Sequence, residues 1–324
     1  MKHFRGVFDV ENVNGLVSEA IWMKNNPSAY AELGKGKKLG MIFMNPSLRT
    51  RVSTEMAARD LGMDVQVLNM ADAWAPDFEQ GSVMDGQKVE HIKEAAGVLG
   101  RYFDMLAVRA FPALLEREVD DAEGVLNAFE RYGKKPILSL ESSTRHPLQS
   151  LADLITLSEQ KKKKSPKVVL TWAPHVKSLP QAVPHSFAEW TLAAGYDLHI
   201  THPEGLELDP RFTRGAHITN DQKEAIRDAD FIYVKNWSKR EPYGVPHENA
   251  SEWMLNEACL ASAPNARILH CLPVRRNVEL SDDLLDSPRS LVLEQAENRL
   301  WAARVVLKNM LTEIIINEKA AIHY

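Results

Sequence analysis

Short apolar runs alternate with stretches of helical periodicity along most of this chain. Eight runs predict strands: residues 39–44 (LGMIFM), 64–69 (DVQVLN), 104–111 (DMLAVRAF), 136–141 (PILSLE), 167–172 (KVVLTW), 197–203 (DLHITHP), 229–237 (ADFIYVKNW) and 266–272 (ARILHCL). Most of these runs are apolar throughout rather than alternating, which is typical of strands covered on both faces in a parallel sheet. Strands and helices that alternate in this way predict an α/β fold.

Helical periodicity fills the intervals between these runs. Residues 82–100 and 181–195 predict helices that end at glycine, a common helix stop. The lysine run from Lys161 to Lys164 interrupts the pattern. We interpret it as a solvated turn between a helix at residues 147–160 and the first strand of a second domain. It lacks the interleaved aromatic residues of a nucleic-acid site.

The turn after the first predicted strand reads MNPSLRTRVSTE, with an arginine on each side of Thr50. We expect a helix to follow it, with an apolar side formed by Val52, Met56, Ala57 and Leu61 and a stop at Gly62. Ser47, Arg49 and Thr50 then lie at a strand-to-helix junction, where α/β proteins bind ligands. Helix N-termini favour anions, and the arginine fork matches phosphate oxygens. A serine N-cap with two solvated arginines explains this stretch equally well.

Cationic and polar side chains also follow other predicted strands. Arg109 ends one predicted strand, and His146 and Gln149 follow the next. Cys271, Leu272 and Arg275 follow the last strand, and Arg299 lies near the start of the final helix. Each has an ordinary structural explanation when taken alone; Cys271, for example, is small enough to be a buried hydrophobe. Together they predict one ligand cleft.

Composition narrows the function classes. The chain has 324 residues, 44% of them hydrophobic, which is enough to build cores for two domains. Its net charge of −5 weighs weakly against nucleic acid as the main partner. Cys259 and Cys271 are the only cysteines, too few for a disulfide framework or a cysteine-rich zinc site. No long apolar run marks a signal peptide or membrane span, so we expect a cytoplasmic protein without a membrane partner.

Rival enzyme classes lack their sequence signals. A nucleotide-binding dehydrogenase would carry G-x-G-x-x-G directly after a strand, and a P-loop enzyme a Walker A sequence, and neither is present. The eleven histidines are scattered along the sequence. We therefore expect neither a cofactor nor a metal ion.

The motifs S-x-R-T-R (47–51), H-P-x-Q (146–149) and H-C-L-P (270–273), in this order, resemble the aspartate and ornithine carbamoyltransferase family. The resemblance covers essentially the whole chain. It implies two doubly wound parallel-sheet domains: a carbamoyl-phosphate domain at residues 1–146 and an amine-substrate domain at 147–300. A C-terminal helix at 301–324 would pack back on the first domain. It also implies a homotrimer with active sites at the subunit interfaces.

The resemblance also implies a role for each motif residue. Carbamoyl phosphate would be bound by Ser47, Leu48, Arg49, Thr50, Trp74, Arg109, His146, Gln149, Cys271, Leu272 and Arg299. Of these, the catalytic residues would be Arg49, Thr50, Arg109, His146 and Cys271. Trp74 would reach a neighbouring subunit, although a core tryptophan remains an alternative. A neutral amine would attack the carbamoyl carbon, an oxyanion would form and phosphate would leave, with no protein base assigned.

The amine substrate is indicated by the second half of the chain. The Ser-Met-Gly loop of enzymes that use free ornithine and the QKER-like loop of enzymes that use aspartate are both absent. Glu141, His175, Lys235 and Arg275 instead resemble the branch that carbamoylates N-acylated ornithine in arginine biosynthesis. There the cationic groups would hold carboxylates and Glu141 would lie near the amine or acylamide. Plain surface charge remains the alternative for Lys235 and Arg275.

Val89 bears on the acyl group. In the N-acetylornithine enzymes this position is usually glutamate, and in the N-succinylornithine enzymes it is usually proline. Valine leaves room for a second carboxylate and does not repel it. Glu279 stands where the acetyl branch tends to have a lysine. We therefore predict N-succinylornithine as the substrate, with N-acetylornithine as the alternative. A non-catalytic homologue that only binds carbamoyl phosphate is a further alternative.

Overall fold

The computed structural model describes residues 1–70, 75–247 and 250–322. The chain forms two compact units. The first contains Met1–Pro112, Glu118–Leu148 and Arg299–Tyr324, and the second contains Ala113–Arg117 and Gln149–Asn298. Each unit has its own parallel sheet, which confirms the predicted α/β class. The assignment of one substrate to each domain stays a prediction.

The first unit is built around a four-stranded sheet of order β2-β1-β3-β4, in which all neighbouring strands are parallel. Its part of the chain forms α1 (Val13–Asn25), β1 (Lys38–Phe43), α2 (Leu48–Asp60), β2 (Asp64–Asn69), α3 (Ile92–Tyr102), β3 (Met105–Arg109), α4 (Arg117–Asp121), α5 (Gly124–Gly133) and β4 (Ile137–Glu141). A 3₁₀ turn at Val7–Asp9 precedes them. Both β3 and β4 end at charged residues that face the same edge of the sheet, Arg109 and Glu141, which are paired in register.

Helices α3 and α5 pack closely in the first unit. Ile42, Val108 and Phe129 are fully buried in the core beside them. A side chain on Gly100 would lie 2.0 Å from the carbonyl oxygen of Gly133, so the helices approach to a distance that only glycine permits. Both glycines lie near the C-terminal ends of their helices, shortly before β3 and β4 begin.

The second unit is built around a five-stranded parallel sheet of order β7-β6-β5-β8-β9. Its part of the chain forms α6 (Pro147–Gln160), β5 (Lys167–Trp172), α7 (Ala182–Ala193), β6 (Asp197–Thr201), α8 (Pro210–Thr213), β7 (His217–Thr219), α9 (Gln222–Ile226), β8 (Phe231–Lys235), β9 (Arg267–Leu269), α10 (Asp282–Leu285) and α11 (Val292–Ile322). Two 3₁₀ turns lie at Ser251–Trp253 and Glu257–Leu260. Helix α11 is long, and its residues from Arg299 onward belong to the first unit.

All eight predicted strands are present, and Lys161–Lys164 form the exposed turn expected between α6 and β5. Strand β7 was not predicted, because it has only three residues and is largely exposed. The helix predicted at residues 82–100 is wrong in its first half. It starts only at Ile92, where the ring of His91 accepts a hydrogen bond from the Lys93 amide and caps it.

The predicted apolar side of α2 is also partly wrong. Val52 is 50% exposed and Met56 is 43% exposed, whereas the buried face carries Thr50 and Thr54 together with small alanines. The buried face of α2 is therefore made largely of threonines and alanines, and Val52 and Met56 are not part of it. The predicted stop at Gly62 is confirmed by its positive φ of 82°. In the described part of the chain, no helix has the combined length and apolar character that crossing a bilayer requires.

Candidate active site

The strand-to-helix turn after β1 is organised by Ser47. Ser47 is the N-cap of α2 in extended conformation, and its Oγ accepts a hydrogen bond from the Thr50 amide at 3.3 Å. Leu48 is 73% exposed and Arg49 is half-buried. A pocket of about 370 Å³ opens beside this turn, lined by Phe43, Met44, Asn45, Pro46, Ser47, Leu48, Arg51 and Asn69. The helix N-terminus and its pocket together suit an anion.

The Thr50 hydroxyl lies at the centre of a buried group of arginines. Its Oγ1 accepts from Arg299 Nη2 at 2.6 Å and from Arg109 Nη1 at 3.3 Å. A hydroxyl has two lone pairs and one proton, so both lone pairs are occupied by guanidinium donors. The remaining O–H must therefore point away from the arginines, where it can donate to a ligand.

Glu141 is the second meeting point of this cluster. Its Oε2 lies 2.5 Å from Arg109 Nη1 and 3.4 Å from His146 Nε2, and all three side chains are buried. The two nitrogens therefore converge on a single oxygen position. Convergent donors on one oxygen are the geometry that stabilises an oxyanion.

His146 is neutral at physiological pH. Burial lowers the pKa of its imidazole well below the usual value, and the charges of Arg299, Arg109 and Arg49 lower it further. Within the described ranges, His146 Nδ1 and Arg109 Nε are buried without a hydrogen-bond partner.

A second cluster lies in the second unit, on the loops after β5 and β9. His175 Nε2 accepts from Arg275 Nε at 3.0 Å, and the Arg275 amide donates to Glu279 at 2.8 Å. Burial lowers the pKa of His175, so its ring is neutral and acts here as an acceptor. Lys235 ends β8 and is 8% exposed. The cluster therefore offers two cationic side chains, and the hydrogen bond to His175 positions that of Arg275.

The H-C-L-P motif contains a residue to which the sequence assigned no role. His270 Nδ1 accepts from the Leu272 amide at 3.0 Å, and its Nε2 lies 3.3 Å from Glu279 Oε1. Burial raises the pKa of Glu279, but His270 and then Lys235 outweigh it, so the net shift is downward and the carboxylate is ionised. This buried pair fixes the backbone of Leu272 and, through Glu279, that of Arg275. The H-C-L-P motif, which contains His270, was the sequence feature that could have indicated this role.

Four further predicted residues are Cys271, Gln149, Val89 and Trp74. Burial raises the pKa of the Cys271 thiol, so it stays protonated and is not an activated nucleophile. The Gln149 amide donates to Asp153 at 2.8 Å, one turn along α6. Val89 is 67% exposed in the segment before α3. Trp74 lies outside the described residues.

The structure thus places the predicted residues in two groups, one in each unit. The first unit brings together Ser47, Arg49, Thr50, Arg109, Glu141, His146 and Arg299. The second unit contains Gln149, His175, Lys235, Cys271, Leu272 and Arg275. The grouping of Glu141 with Arg109 and His146 was not foreseen.

Comparison with known proteins identifies the family. Residues 2–159 match the carbamoyl-phosphate-binding domain of aspartate/ornithine carbamoyltransferases, and residues 180–310 match the Asp/Orn-binding domain. The chain is 48% identical over 314 residues to N-succinylornithine carbamoyltransferase of Bacteroides thetaiotaomicron, which covers 96% of this chain and 99% of the relative. It is 34% identical over 343 residues to N-acetylornithine carbamoyltransferase of Xanthomonas axonopodis pv. citri, covering 98% and 99%.

One solved structure of similar fold has a glutamate replaced by valine. It is a glutamate-to-valine mutant of N-acetyl-L-ornithine transcarbamylase, complexed with carbamyl phosphate and N-succinyl-L-norvaline. It superposes with a TM-score of 0.87 at 33% identity and covers 96% of this chain and 100% of that one. With both family domains matched and relatives similar over nearly their whole length, the chain belongs to the aspartate/ornithine carbamoyltransferase family.

Proposed function

We propose that this carbamoyltransferase transfers the carbamoyl group of carbamoyl phosphate to the side-chain amine of N-succinyl-L-ornithine. The products are N-succinyl-L-citrulline and phosphate. One observation carries the proposal: Arg109 donates to both the Thr50 hydroxyl and Glu141 Oε2, and each of these oxygens lies beside a further donor, Arg299 or His146. Such a cluster suits the anionic donor and the oxyanion that forms from it.

The phosphate of carbamoyl phosphate is assigned to the start of α2. Ser47 and the backbone of the first helical turn supply neutral groups, and Arg49 and Arg299 supply charge. An arginine in the first turn opposes the helix dipole, and a bound phosphate compensates for it. The Thr50 O–H points away from its two arginines and donates to the bound ligand.

The carbonyl oxygen of the carbamoyl group is assigned to Arg109 and His146. These two donors converge on Glu141 Oε2, and a carbamoyl oxygen that took over this position would receive both hydrogen bonds. As the amine attacks, negative charge grows on this oxygen and the donors stabilise it. A neutral His146 fits this role without placing a fourth positive charge beside Arg49, Arg109 and Arg299.

Glu141 would then exchange partners. When a carbamoyl oxygen replaces its carboxylate at Arg109 and His146, Glu141 is released to accept a hydrogen bond from the attacking amine. This reconciles its position in the structure with its predicted contact to the amine or acylamide. The exchange predicts that carbamoyl phosphate binds before the amine. The proton of the amine passes to the departing phosphate, so no separate protein base is needed.

The carboxylates of the amine substrate are assigned to the second unit. Lys235 and Arg275 are cationic, and the hydrogen bond to His175 fixes the Arg275 guanidinium. Cys271 and Leu272 lie on the same loop, and His270 holds the backbone of Leu272. These contacts suit a substrate with no free α-ammonium group, because a cationic site would repel one.

Val89 is proposed as the position that admits the succinyl group. Its exposed side chain leaves no charge to repel a second carboxylate. The valine mutant of the acetylornithine enzyme was solved with a succinyl ligand, which supports this if the substituted glutamate and Val89 are equivalent. The relative at 48% identity carries the succinyl name. N-acetylornithine remains the second candidate, because the relative at 34% identity carries the acetyl name.

Assembly and location are also proposals. We expect a cytoplasmic homotrimer, in which Trp74 of one subunit serves the site of its neighbour. Leu48, Val52 and Met56 are spaced four residues apart on α2 and are all substantially exposed, beside the proposed phosphate site. An apolar stripe of this kind suits a subunit contact.

The test is product formation from carbamoyl phosphate with each candidate amine. Turnover of N-succinylornithine above N-acetylornithine is expected, with free ornithine and aspartate inert. Binding of carbamoyl phosphate without turnover of any amine would instead favour the non-catalytic homologue. Sedimentation velocity tests the trimer separately, since a monomer would contradict the assignment of Trp74.

A further inference from the structure

A cluster of two histidines and an aspartate lies on the sheet of the second unit, on strands that carry none of the proposed substrate groups. Asp197 and His199 are two residues apart on β6 and so project from the same face of the sheet. His217 is paired directly opposite His199 on the edge strand β7. The sheet register alone therefore brings three side chains with metal-binding atoms together.

The distances within this cluster fit a transition-metal ion. His199 Nε2 lies 3.2 Å and His217 Nε2 3.8 Å from the same oxygen, Asp197 Oδ1. One ligand atom from each residue lies within 4.8 Å of the other two. Tetrahedral zinc with bonds near 2.1 Å spaces its ligand atoms by about 3.4 Å, so small side-chain rotations suffice. The imidazole rings stack at 4.7 Å and 26°, which already aligns their edges.

The surroundings leave access to the cluster. A pocket of about 290 Å³ is lined by both histidines together with Lys167, Ile218, Thr219, Glu224 and Ala225. His217 is 71% exposed and Asp197 is 46% exposed, whereas His199 is largely covered. Three protein ligands would leave the fourth tetrahedral position of a zinc ion open to water.

We propose that Asp197, His199 and His217 bind one divalent transition ion of the zinc class. Two imidazoles and one carboxylate favour zinc, nickel or copper over magnesium or calcium, which prefer oxygen ligands. The ion takes no part in carbamoyl transfer. It ties the three-residue edge strand β7 to β6 and so protects an otherwise weakly held edge of the sheet.

The sequence did not predict this cluster. His199 and His217 lie on different strands, and strand β7 was not predicted. The two histidines therefore showed no common site in the sequence. The expectation of no metal ion rested on the scatter of the histidines along the sequence, and the proposed site departs from that expectation.

The test is calorimetric titration of Zn²⁺ into the full-length protein, produced without a polyhistidine tag and stripped of metal with a chelator. We expect about one equivalent to bind, with His217→Asn and Asp197→Asn each weakening it by more than about 100-fold, since even outer-shell partners contribute about 10–100-fold. His217 is exposed, so its replacement should not disturb folding. Lys167→Met is the matched control: it alters the same pocket but removes a repelling charge, so binding should be equal or tighter.

Two further measurements separate this site from others. Hydrogen exchange at residues 217–219 should slow when Zn²⁺ is added, and only in proteins that keep all three ligands. Carbamoyl transfer by His217→Asn should equal that of the wild type, so failure of this proposal is distinguishable from failure of the proposed function. Absence of Zn²⁺ binding, or equal binding by His217→Asn, would overturn the proposal.

Discussion

Replacing Thr50 with valine probes the centre of the carbamoyl-phosphate cluster. Valine has nearly the same shape, so Thr50→Val removes the hydroxyl from a site that is 1% exposed without opening a cavity. The lost O–H is the donor that both arginines direct toward the ligand. Loss of one such donor typically costs about 100–1,000-fold in kcat, or roughly 2.7–4 kcal/mol of transition-state stabilisation.

The structure also predicts an effect on folding. Arg299 Nη2 loses its acceptor on Thr50, whereas Arg109 keeps Glu141. A hydrogen bond to a charged group contributes about 1.5–3 kcal/mol, so the free energy of unfolding should fall by about that amount. Thermal unfolding in parallel with turnover separates the two effects.

Thr54→Val provides the matched control. Thr54 lies one turn further along α2, is fully buried, and its Oγ1 has no hydrogen-bond partner in the described part of the chain. The same substitution there removes an unsatisfied polar atom, so we expect full activity and equal or higher stability. Thr50→Ser should keep most of the activity. If Thr50→Val lost less than about tenfold in kcat, the assignment of its hydroxyl to the ligand would be refuted.

Three further predictions concern other groups. Arg49→Ala should abolish the calorimetric binding of carbamoyl phosphate and leave thermal unfolding unchanged. The control Arg59→Ala, at an exposed position on the same helix, should bind carbamoyl phosphate normally. If Arg49→Ala bound carbamoyl phosphate with unchanged affinity, Arg49 would be removed from the site. Val89→Glu should shift the ratio of specificity constants toward N-acetylornithine by repelling the succinyl carboxylate, and an unchanged ratio would show that another residue selects the acyl group. Because the pKa of His146 is lower in the folded state than its unfolded value near 6.5, the unfolded state gains a proton first as pH falls. As the pH falls below about 6.5, the free energy of unfolding should therefore decrease, and it should decrease less steeply in His146→Asn. Identical slopes of unfolding free energy against pH in the two proteins would contradict a neutral buried His146.

Much of the site was predictable from sequence because its residues follow strands. Arg109 ends β3 and Thr50 lies in the first turn of α2, and parallel strands bring such ends to one edge. Arg299 was noted near the start of the final helix, and the family resemblance gave it a role at carbamoyl phosphate. It does contact Thr50. Periodicity therefore identified the elements, and the motifs identified the contacts between them.

The missed features depend on tertiary contacts. Periodicity could not show that Val52 and Met56 face outward, because α2 buries threonines and alanines that carry little hydrophobic signal. The convergence of Arg109 and His146 on Glu141 needs the register of β3 and β4, with its irregularity at Arg109. Strand β7 is held by pairing with β6, so its three residues have no signal of their own.

The most direct test of the proposed function is the rate of citrulline-product formation from carbamoyl phosphate with four amines in parallel. These are N-succinylornithine, N-acetylornithine, ornithine and aspartate. We predict turnover of the acylated ornithines alone, with the larger specificity constant for N-succinylornithine. Preferred turnover of free ornithine or aspartate would contradict the assignment of Lys235 and Arg275 to substrate carboxylates and, with it, the proposed substrate.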